Sequence, residues 1–414
     1  MGDVMQSVTE TGLRRSVGVT ALFLYGLGNT LGAGIFVLVG KIAGVAGMQA
    51  PLAFLLAALL VAFTAFSYSE LASRYPLSAG EALYMHRAFG VPQLSALLGL
   101  LIVAMGVVSS AGIIRGAVGY LATFVQLPDW LVLVWIPLFL GGIALWGIQG
   151  SVRVAAFLTL LEVLALAIVI WVGRDALLKP DIDWTALMPP ARGAAWGGIL
   201  LGALLAFYAF IGFEDMVNIA EEVVQPQRTL PLAIILTLVA TLILYVLVAL
   251  TAVLNLPPAQ LAASDAPLAL VYQSVTGREP WLISLISLVA VVNGALVQMI
   301  MASRMLFGLA KLGWLWRGLS HIHPRRHTPD LASVIVTLLV MGFALWQPLE
   351  VLAKLTSFIV LLVFSLMNMA LLRIHREQVP PPGVKPLPDW LPRFGAVVSM
   401  GFLIYSLWQF LWPA

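Results

Sequence analysis

The chain has 414 residues, 61% of them hydrophobic and 10% charged, with 22 Lys and Arg against 19 Asp and Glu. Soluble domains carry roughly 25% charged residues, so this composition excludes a water-facing globule. The net charge of +3 is a small excess and not a basic patch, which excludes a nucleic-acid partner, and the absence of Cys excludes disulfides, thiolate metal sites and cysteine nucleophiles.

The first 16 residues are polar and include Arg14 and Arg15. The apolar run after them is longer than a signal-peptide core and no Ala-x-Ala-like site follows, so it is expected to stay in the mature protein. A bilayer span needs about 20 mostly apolar residues. Windows of that kind between polar or Pro-rich breaks fall at 17–40, 51–69, 92–125, 130–148, 154–173, 195–222, 230–254, 281–310, 332–346, 352–372 and 393–412. The expected fold is therefore an all-α polytopic membrane protein of about eleven transmembrane helices. With a cytoplasmic N-terminus, Lys41, Arg174, Lys179, Arg192 and Arg278 lie outside, while Arg115, Arg304 and Lys354 fall in or near spans. The remaining fourteen Lys and Arg lie inside, a strong positive-inside bias. An odd number of spans then places the C-terminus outside.

Two spans carry interruptions at matching places. The first contains Gly26-Leu27-Gly28-Asn29-Thr30-Leu31-Gly32-Ala33-Gly34-Ile35-Phe36 at its middle, and each glycine weakens a helix by about 1 kcal/mol relative to Ala. The sixth contains Phe207-Tyr208-Ala209-Phe210-Ile211-Gly212-Phe213-Glu214, with Ala220-Glu221-Glu222 and Pro226 at the inner exit. Irregular backbone at that depth survives only where protein or a water-filled cavity satisfies its polar groups, so paired breaks point to a binding site. Spans one and six are five apart, which gives two five-span units of opposite orientation, the inverted-repeat plan of secondary transporters. In that plan, N–H groups near Gly34 suit a carboxylate and carbonyls near Phe207 and Tyr208 suit an ammonium group, so a zwitterion fits both. The competing reading is that the glycines only allow close helix packing.

The boundaries that follow are a cytoplasmic N-terminal segment 1–16, a first five-helix repeat 17–173 and a second, inverted repeat 195–372. After these come a cytoplasmic Pro-rich connection 373–392 and an extra helix 393–414. Pro380-Pro381-Pro382 and Pro386-Leu387-Pro388 make the connection an extended spacer.

Several stretches in order resemble the amino acid-polyamine-organocation (APC) transporter superfamily, in its amino acid permease branch. They are Gly28-Asn29-Thr30-Leu31-Gly32-Ala33-Gly34-Ile35-Phe36, Glu70-Leu71-Ala72-Ser73-Arg74-Tyr75-Pro76 with Gly80-Glu81, and Phe210-Ile211-Gly212-Phe213-Glu214 through Pro226 and Arg228. Ser303-Arg304 and the basic loop ending Thr328-Pro329 complete the set. The resemblance implies the leucine-transporter-type fold with broken helices one and six. It also implies a substrate site between those breaks: amides of Gly32, Ala33 and Gly34 for the carboxylate, aromatic gating by Phe207 and Tyr208, and a contact from Ser110. Asn29, Thr30, Ala209 and Ile211 belong to the same expected site. Ser109-Ser110 with Ile114-Arg115-Gly116 is also similar to the cationic amino acid transporter branch.

The function so implied is a secondary active transporter that moves amino acids across the inner or plasma membrane by alternating access, as a proton-coupled symporter. The alternatives are a polyamine or amino acid/amine exchanger and sodium-coupled uptake. A charge at the centre of a span costs about 2.5–3.5 kcal/mol on insertion scales, so Glu214, Glu162 and Arg115 are the expected coupling residues. Glu214, just inside the sixth-span break, is the first candidate for the proton carrier, with helix capping as its other reading. Glu162 stands where related transporters carry a Lys. It either titrates, pairs with Arg115, or helps to hold sodium. No cofactor and no metal are expected, the coupling ion being H+ or Na+. The expected partners are an amino acid and the bilayer. His321, His323 and His327 read as part of a solvated basic loop, and neither a catalytic constellation nor a filter loop argues for an enzyme or a channel. Asn29, Thr30, Ser110, Tyr208 and Asn293 as the polar members of the pocket favour a neutral or apolar substrate side chain.

Overall fold

The computed structural model describes residues 15, 17–76, 80–146, 152–178, 182, 184–188, 193, 196–323 and 328–411. Its long helices follow the apolar windows: α1 (Val19–Ala46), α2 (Ala50–Arg74), α4 (Pro92–Ala122), α5 (Asp129–Trp146), α6 (Val152–Leu177) and α8 (Trp196–Ala209). The second half contributes α9 (Pro226–Asn255), α12 (Trp281–Lys311), α13 (Asp330–Trp346), α14 (Leu349–Glu377) and α15 (Trp390–Leu411). Four short helices had no apolar window to announce them: α3 (Gly80–Phe89), α7 (Trp184–Leu187), α10 (Pro258–Ala263) and α11 (Pro267–Thr276). Among the described residues, eight stretches have the length and hydropathy of a span. One of these, Gly34–Arg74, holds the end of α1 and all of α2 around a tight turn at Gly47–Gln49, and two shorter apolar helices, Asp129–Leu145 and Asp330–Trp346, complete the set.

Large apolar side chains such as Leu59, Trp135, Phe139 and Trp171 lie on the outer surface. Hydrocarbon solvates them as well as a protein core does, so helix association in a bilayer rests on close backbone approach and internal polar contacts. Close pairings include α4 with α12, α2 with α9, α14 with α15, α1 with α9 and α1 with α8. Three of these, α4 with α12, α2 with α9 and α1 with α8, join spans five apart in the series.

The break expected in the first span is absent, because α1 runs as one helix of 28 residues through the glycine cluster. Its glycines are contact points instead. A methyl group on Gly34 would lie 2.2 Å from the Ala209 Cα, one on Gly32 would lie 3.3 Å from the Gly294 Cα, and one on Gly28 would overlap Thr159. Gly26 is covered in the same way by Met216. Close packing by small residues thus accounts for the cluster. The sixth span is interrupted as expected. Helix α8 stops at Ala209, residues 210–213 form tight turns, and a 3-10 helix runs from Glu214 to Glu222. Beyond it Val17 pairs with Val223 in an isolated bridge, which ties the chain entering α1 to the end of the 3-10 segment.

Gly34→Ala is expected to lower the thermal midpoint of the purified protein, since the methyl meets backbone that cannot give way and overpacking costs about 1–3 kcal/mol. Gly142→Ala in α5, where nothing among the described residues lies within 4 Å of the added carbon, is the control and leaves the midpoint unchanged or slightly raised.

Candidate functional site

The turn at residues 210–213 is pressed against the backbone of α1. Gly212 has φ of +127°, and a methyl there would lie 2.7 Å from the Asn29 carbonyl oxygen. Only glycine meets both conditions without strain. Side chains then satisfy the exposed backbone. The Tyr245 hydroxyl of α9 lies 2.8 Å from the carbonyl oxygens of both Thr30 and Ala209. Asn29 donates through Nδ2 to the Gly212 carbonyl (3.1 Å) and to Oδ2 of Asp215 (2.7 Å). Gln298 of α12 donates through Nε2 to the same Oδ2 at 3.1 Å. Glu214 accepts the Gly212 N–H at 2.9 Å, so it closes the turn over the 3-10 segment that it begins.

Beside this turn is a small cavity lined by Asn29, Thr30, Gly34, Ser109, Ile113, Tyr208, Ile211, Gly294 and Gln298. The cavity volume is about 10 Å³, room for about one water molecule and too small for an amino acid in this conformation. None of the lining residues is charged.

Asn29, Thr30, Gly34, Tyr208 and Ile211 line the cavity as expected, and the other expected residues lie around it. Gly32 packs on Gly294. Ala33 belongs to α1 between them. Ser110 turns away, 2.7 Å from the Gly106 carbonyl and 3.3 Å from that of Ala295. Its neighbour Ser109 lines the cavity instead. Phe207 is buried edge-on against Phe364, with ring centroids 5.7 Å apart. Ala209 sits under Gly34. Asn293 does not line the cavity, whereas Gly294 and Gln298 of the same helix do. The carbonyls of Phe207 and Tyr208, expected to be free, accept the N–H groups of Phe210 and Ile211 at 3.1 and 3.2 Å. With α1 unbroken, no helix N-terminus forms at Gly34.

The charged candidates separate. Arg115 donates to the carbonyls of Ala344 (2.6 Å) and Leu345 (3.2 Å), in the last turn of α13. It covers the open end of that helix, as cations at helix C-termini do, and it does not meet Glu162. Glu162 is 1% exposed, with no hydrogen-bond partner for either carboxylate oxygen among the described residues. Glu214 and Asp215 are both buried, with no basic side chain paired to either among the described residues. His321 pairs with Asp330 at 3.0 Å, and His327 lies outside the described residues.

Sequence reasoning missed Asp215, Gln298 and Glu81. Asp215 had a signal, a second acid beside Glu214 in the break. Gln298 shares a face with Gly294 one helical turn away, but an isolated amide in an apolar helix announces nothing until its partner is placed. Glu81, at the start of α3 outside the spans, is 2% exposed, and its Oε1 accepts from the Tyr68 hydroxyl at 3.3 Å while Oε2 has no partner among the described residues. Burial pushes its carboxyl up from 4.5 to about 7, with repulsion from Asp215 adding to the rise, against the pull of its own backbone N–H and of Tyr68.

A carboxyl whose folded value lies above its unfolded one stabilises the fold least once it has ionised, so this effect weakens the protein as pH rises from 4.5 through about 7. Glu81→Gln keeps the acceptor for Tyr68 and removes the ionisation. The variant is expected to melt above the wild type at pH 8, by up to roughly 3 kcal/mol, and with it at pH 4.5, measured as paired melting curves across that range.

A family model described as amino acid permease matches residues 17–413. The chain is 30% identical over 393 residues to the branched-chain amino acid permease BcaP of Bacillus subtilis, covering 89% of this chain and 83% of that one. It is 28% identical to the vacuolar cationic amino acid transporter 4 of Arabidopsis thaliana, over 90% of this chain and 65% of that one. It is 27% identical to the methylthioribose transporter of Bacillus subtilis, over 97% of this chain and 90% of that one. These relatives are membrane transporters and not enzymes, and on the match along nearly its whole length the chain belongs to the amino acid permease family of the APC superfamily.

Proposed function

We propose that this permease is a proton-coupled symporter that carries a neutral amino acid with an apolar side chain across the plasma membrane by alternating access. The observation that carries the reading is the pairing of a small uncharged cavity with a file of buried acids beside it. Asp215 holds two of the residues that line the cavity, Glu214 is its neighbour in the chain, and Glu81 lies close enough to Asp215 to feel its charge. Tyr68 donates to Glu81 in turn. A group that carries a proton must be desolvated enough to hold it near working pH and must lack a permanent counter-charge. Glu214, Asp215 and Glu162 all lack a basic partner among the described residues. The apolar lining supplied by Ile113 and Ile211 suits a branched or linear aliphatic side chain, and the branched-chain permease among the relatives supports the same class.

A second reading, a cationic amino acid or amine, is favoured by Asp215, one hydrogen bond removed from the cavity, and by the cationic transporters among the relatives. The contacts between spans five apart support two inverted repeats, 17–173 and 195–372. The distribution of Lys and Arg supports an N-terminus in the cytoplasm and a C-terminus outside. A reporter fused after Ala414 and active only outside the cell is the outcome expected for that orientation.

In proteoliposomes with an inward proton gradient, the wild type is expected to accumulate L-leucine, and an uncoupler abolishes the accumulation while replacement of sodium leaves it intact. Glu214→Gln loses gradient-driven accumulation by roughly 10- to 100-fold and keeps exchange of labelled for unlabelled leucine. Accumulation that needs sodium, or a Glu214→Gln variant with full pH dependence, contradicts the proton reading.

A further inference from the structure

We infer that His375, as a doubly protonated imidazolium, latches the Pro-rich connection 378–389 across the ends of α2 and α14, and that loss of its proton on alkalinisation releases the connection. The inference lies beyond the proposed function and depends on neither the substrate nor the driving ion.

His375, in the last turn of α14, presents Nε2 to Oε1 of Glu70 and Nδ1 to Oδ1 of Asp389, each at 2.8 Å. A neutral imidazole has one donor and one acceptor nitrogen, and the imidazolium has two donors. Both carboxyls are in their accepting form. Glu70 of α2 takes Arg74 Nε on Oε1 at 2.6 Å and the Leu387 N–H on Oε2 at 2.8 Å. Asp389 accepts from Arg393 at 3.1 Å on Oδ2. Its carboxyl is held below the usual range first by the hydrogen bond from His375 and further by the charges of His375, Arg393 and Arg376. Two acceptors facing two ring nitrogens call for a hydrogen on each, and turning the ring over would put carbons there instead.

Through this one ring α14 reaches α2 on one side and the last residue of the connection on the other. Glu70 holds the connection a second time at Leu387. Prolines at 380, 381, 382, 386 and 388 stiffen the segment, so release at its far end moves the rest as one piece. The near end is fastened separately, since Gln378 accepts from the Tyr75 hydroxyl and donates to the Arg87 carbonyl at 3.0 Å. Val384 is consequently covered, 9% exposed, while Val379 is 90% exposed. On the proposed repeats α2 and α14 belong to different halves, so any opening of this face that parts them must break the latch.

The other charged groups around the ring are accounted for. Arg74 comes from α2, the exposed Lys385 from the connection, Arg393 from α15 and Arg376 from α14 itself, where Arg373 pairs with Glu377 at 2.8 Å. In α3, Glu81 meets Tyr68, His86 lies beside Trp314 and Arg87 lies over Tyr75. Helix α8 has no charged residue, and the one in α4, Arg115, is on the carbonyls that end α13. Histidine is the side chain suited to change charge between about pH 5 and 8, and of the two histidines here His375 alone holds the connection.

The chain has no Cys, so a single introduced thiol reports its own surroundings. In the purified full-length protein, the maleimide labelling rate of Val384→Cys is divided by that of Val379→Cys, which cancels the reactivity of the thiolate itself. The ratio is expected to rise roughly tenfold from about pH 5.5 to about pH 8.5 as the charge-assisted pair is lost. In Asp389→Asn the amide nitrogen can donate to a neutral ring while its oxygen stays with Arg393, so the ratio is expected to remain low and flat. His375→Phe keeps a ring and removes both donors, and is expected to show the high ratio at every pH. Should His375→Phe not fold, the exposed Asp389→Asn decides the matter alone. A flat or falling ratio in the wild type overturns the latch, and so does a His375→Phe variant as well covered at low pH as the wild type. Asp389→Asn with the full rise of the wild type also overturns it, because the pH effect would then belong to Glu81 or to the thiol.

Discussion

The contact between Gly212 and the backbone of α1 at Asn29 and Thr30 is the constraint on which the centre of the molecule depends. Within hydrocarbon every backbone N–H and C=O needs a partner inside the protein, and a span that stops halfway leaves several without one. The turn after Ala209 is stable only because α1 lies near enough to supply Asn29, and because Tyr245 reaches two carbonyls from the far side. Any side chain at position 212 would separate the two segments by its own thickness. With them separated, the hydrogen bond from Asn29 to Asp215 would be lost and the amide would no longer be oriented. The same approach brings the acids of the 3-10 segment beside the cavity. Packing, polar satisfaction and placement of charge thus have one geometric origin.

Helix α1 is the rod against which the other elements are set. Its glycines admit Met216, Thr159, Gly294 and Ala209 on different sides, and hydroxyls from three other helices reach its carbonyls. Thr159 of α6 donates to Leu24 at 2.9 Å, Tyr120 of α4 to Phe36 at 2.5 Å, and Tyr245 of α9 approaches Thr30. A helical carbonyl has a second lone pair available for such bonds, so the helix is gripped without being broken. Among the described residues, the mid-span interruption of a long helix is confined to the sixth span.

The spans were legible because a bilayer imposes a length of apolar sequence that no soluble fold shares, and the positions of the long helices follow from it. The break in the sixth span was legible because glycine there sits among aromatic residues and ahead of an acid. The first span was ambiguous for a physical reason: a glycine run weakens a helix and also removes side chains at a contact, and only the placement of Ala209, Thr159 and Gly294 decides between the two. Ser109 and Ser110 show the finer limit. Neighbours on a helix point about 100° apart, so a small error in phase exchanges the residue that lines the site with the one that packs. Gln298 and Asp215 are 83 positions apart, and their meeting is a product of the fold alone.

On the proposed reading, the polar groups at the centre tie the cavity to the acids beside it. Asn29 and Gln298 line the cavity and both donate to Oδ2 of Asp215, so that carboxylate fixes which way each amide turns. Glu214, its neighbour in the chain, is held by the Gly212 N–H that closes the turn. A change of charge at position 215 therefore reaches a bound substrate through two hydrogen bonds and the backbone of the turn, and by linkage the substrate acts on the acids with an equal free energy. The residues that shape the cavity are the same ones that hold the acids in place.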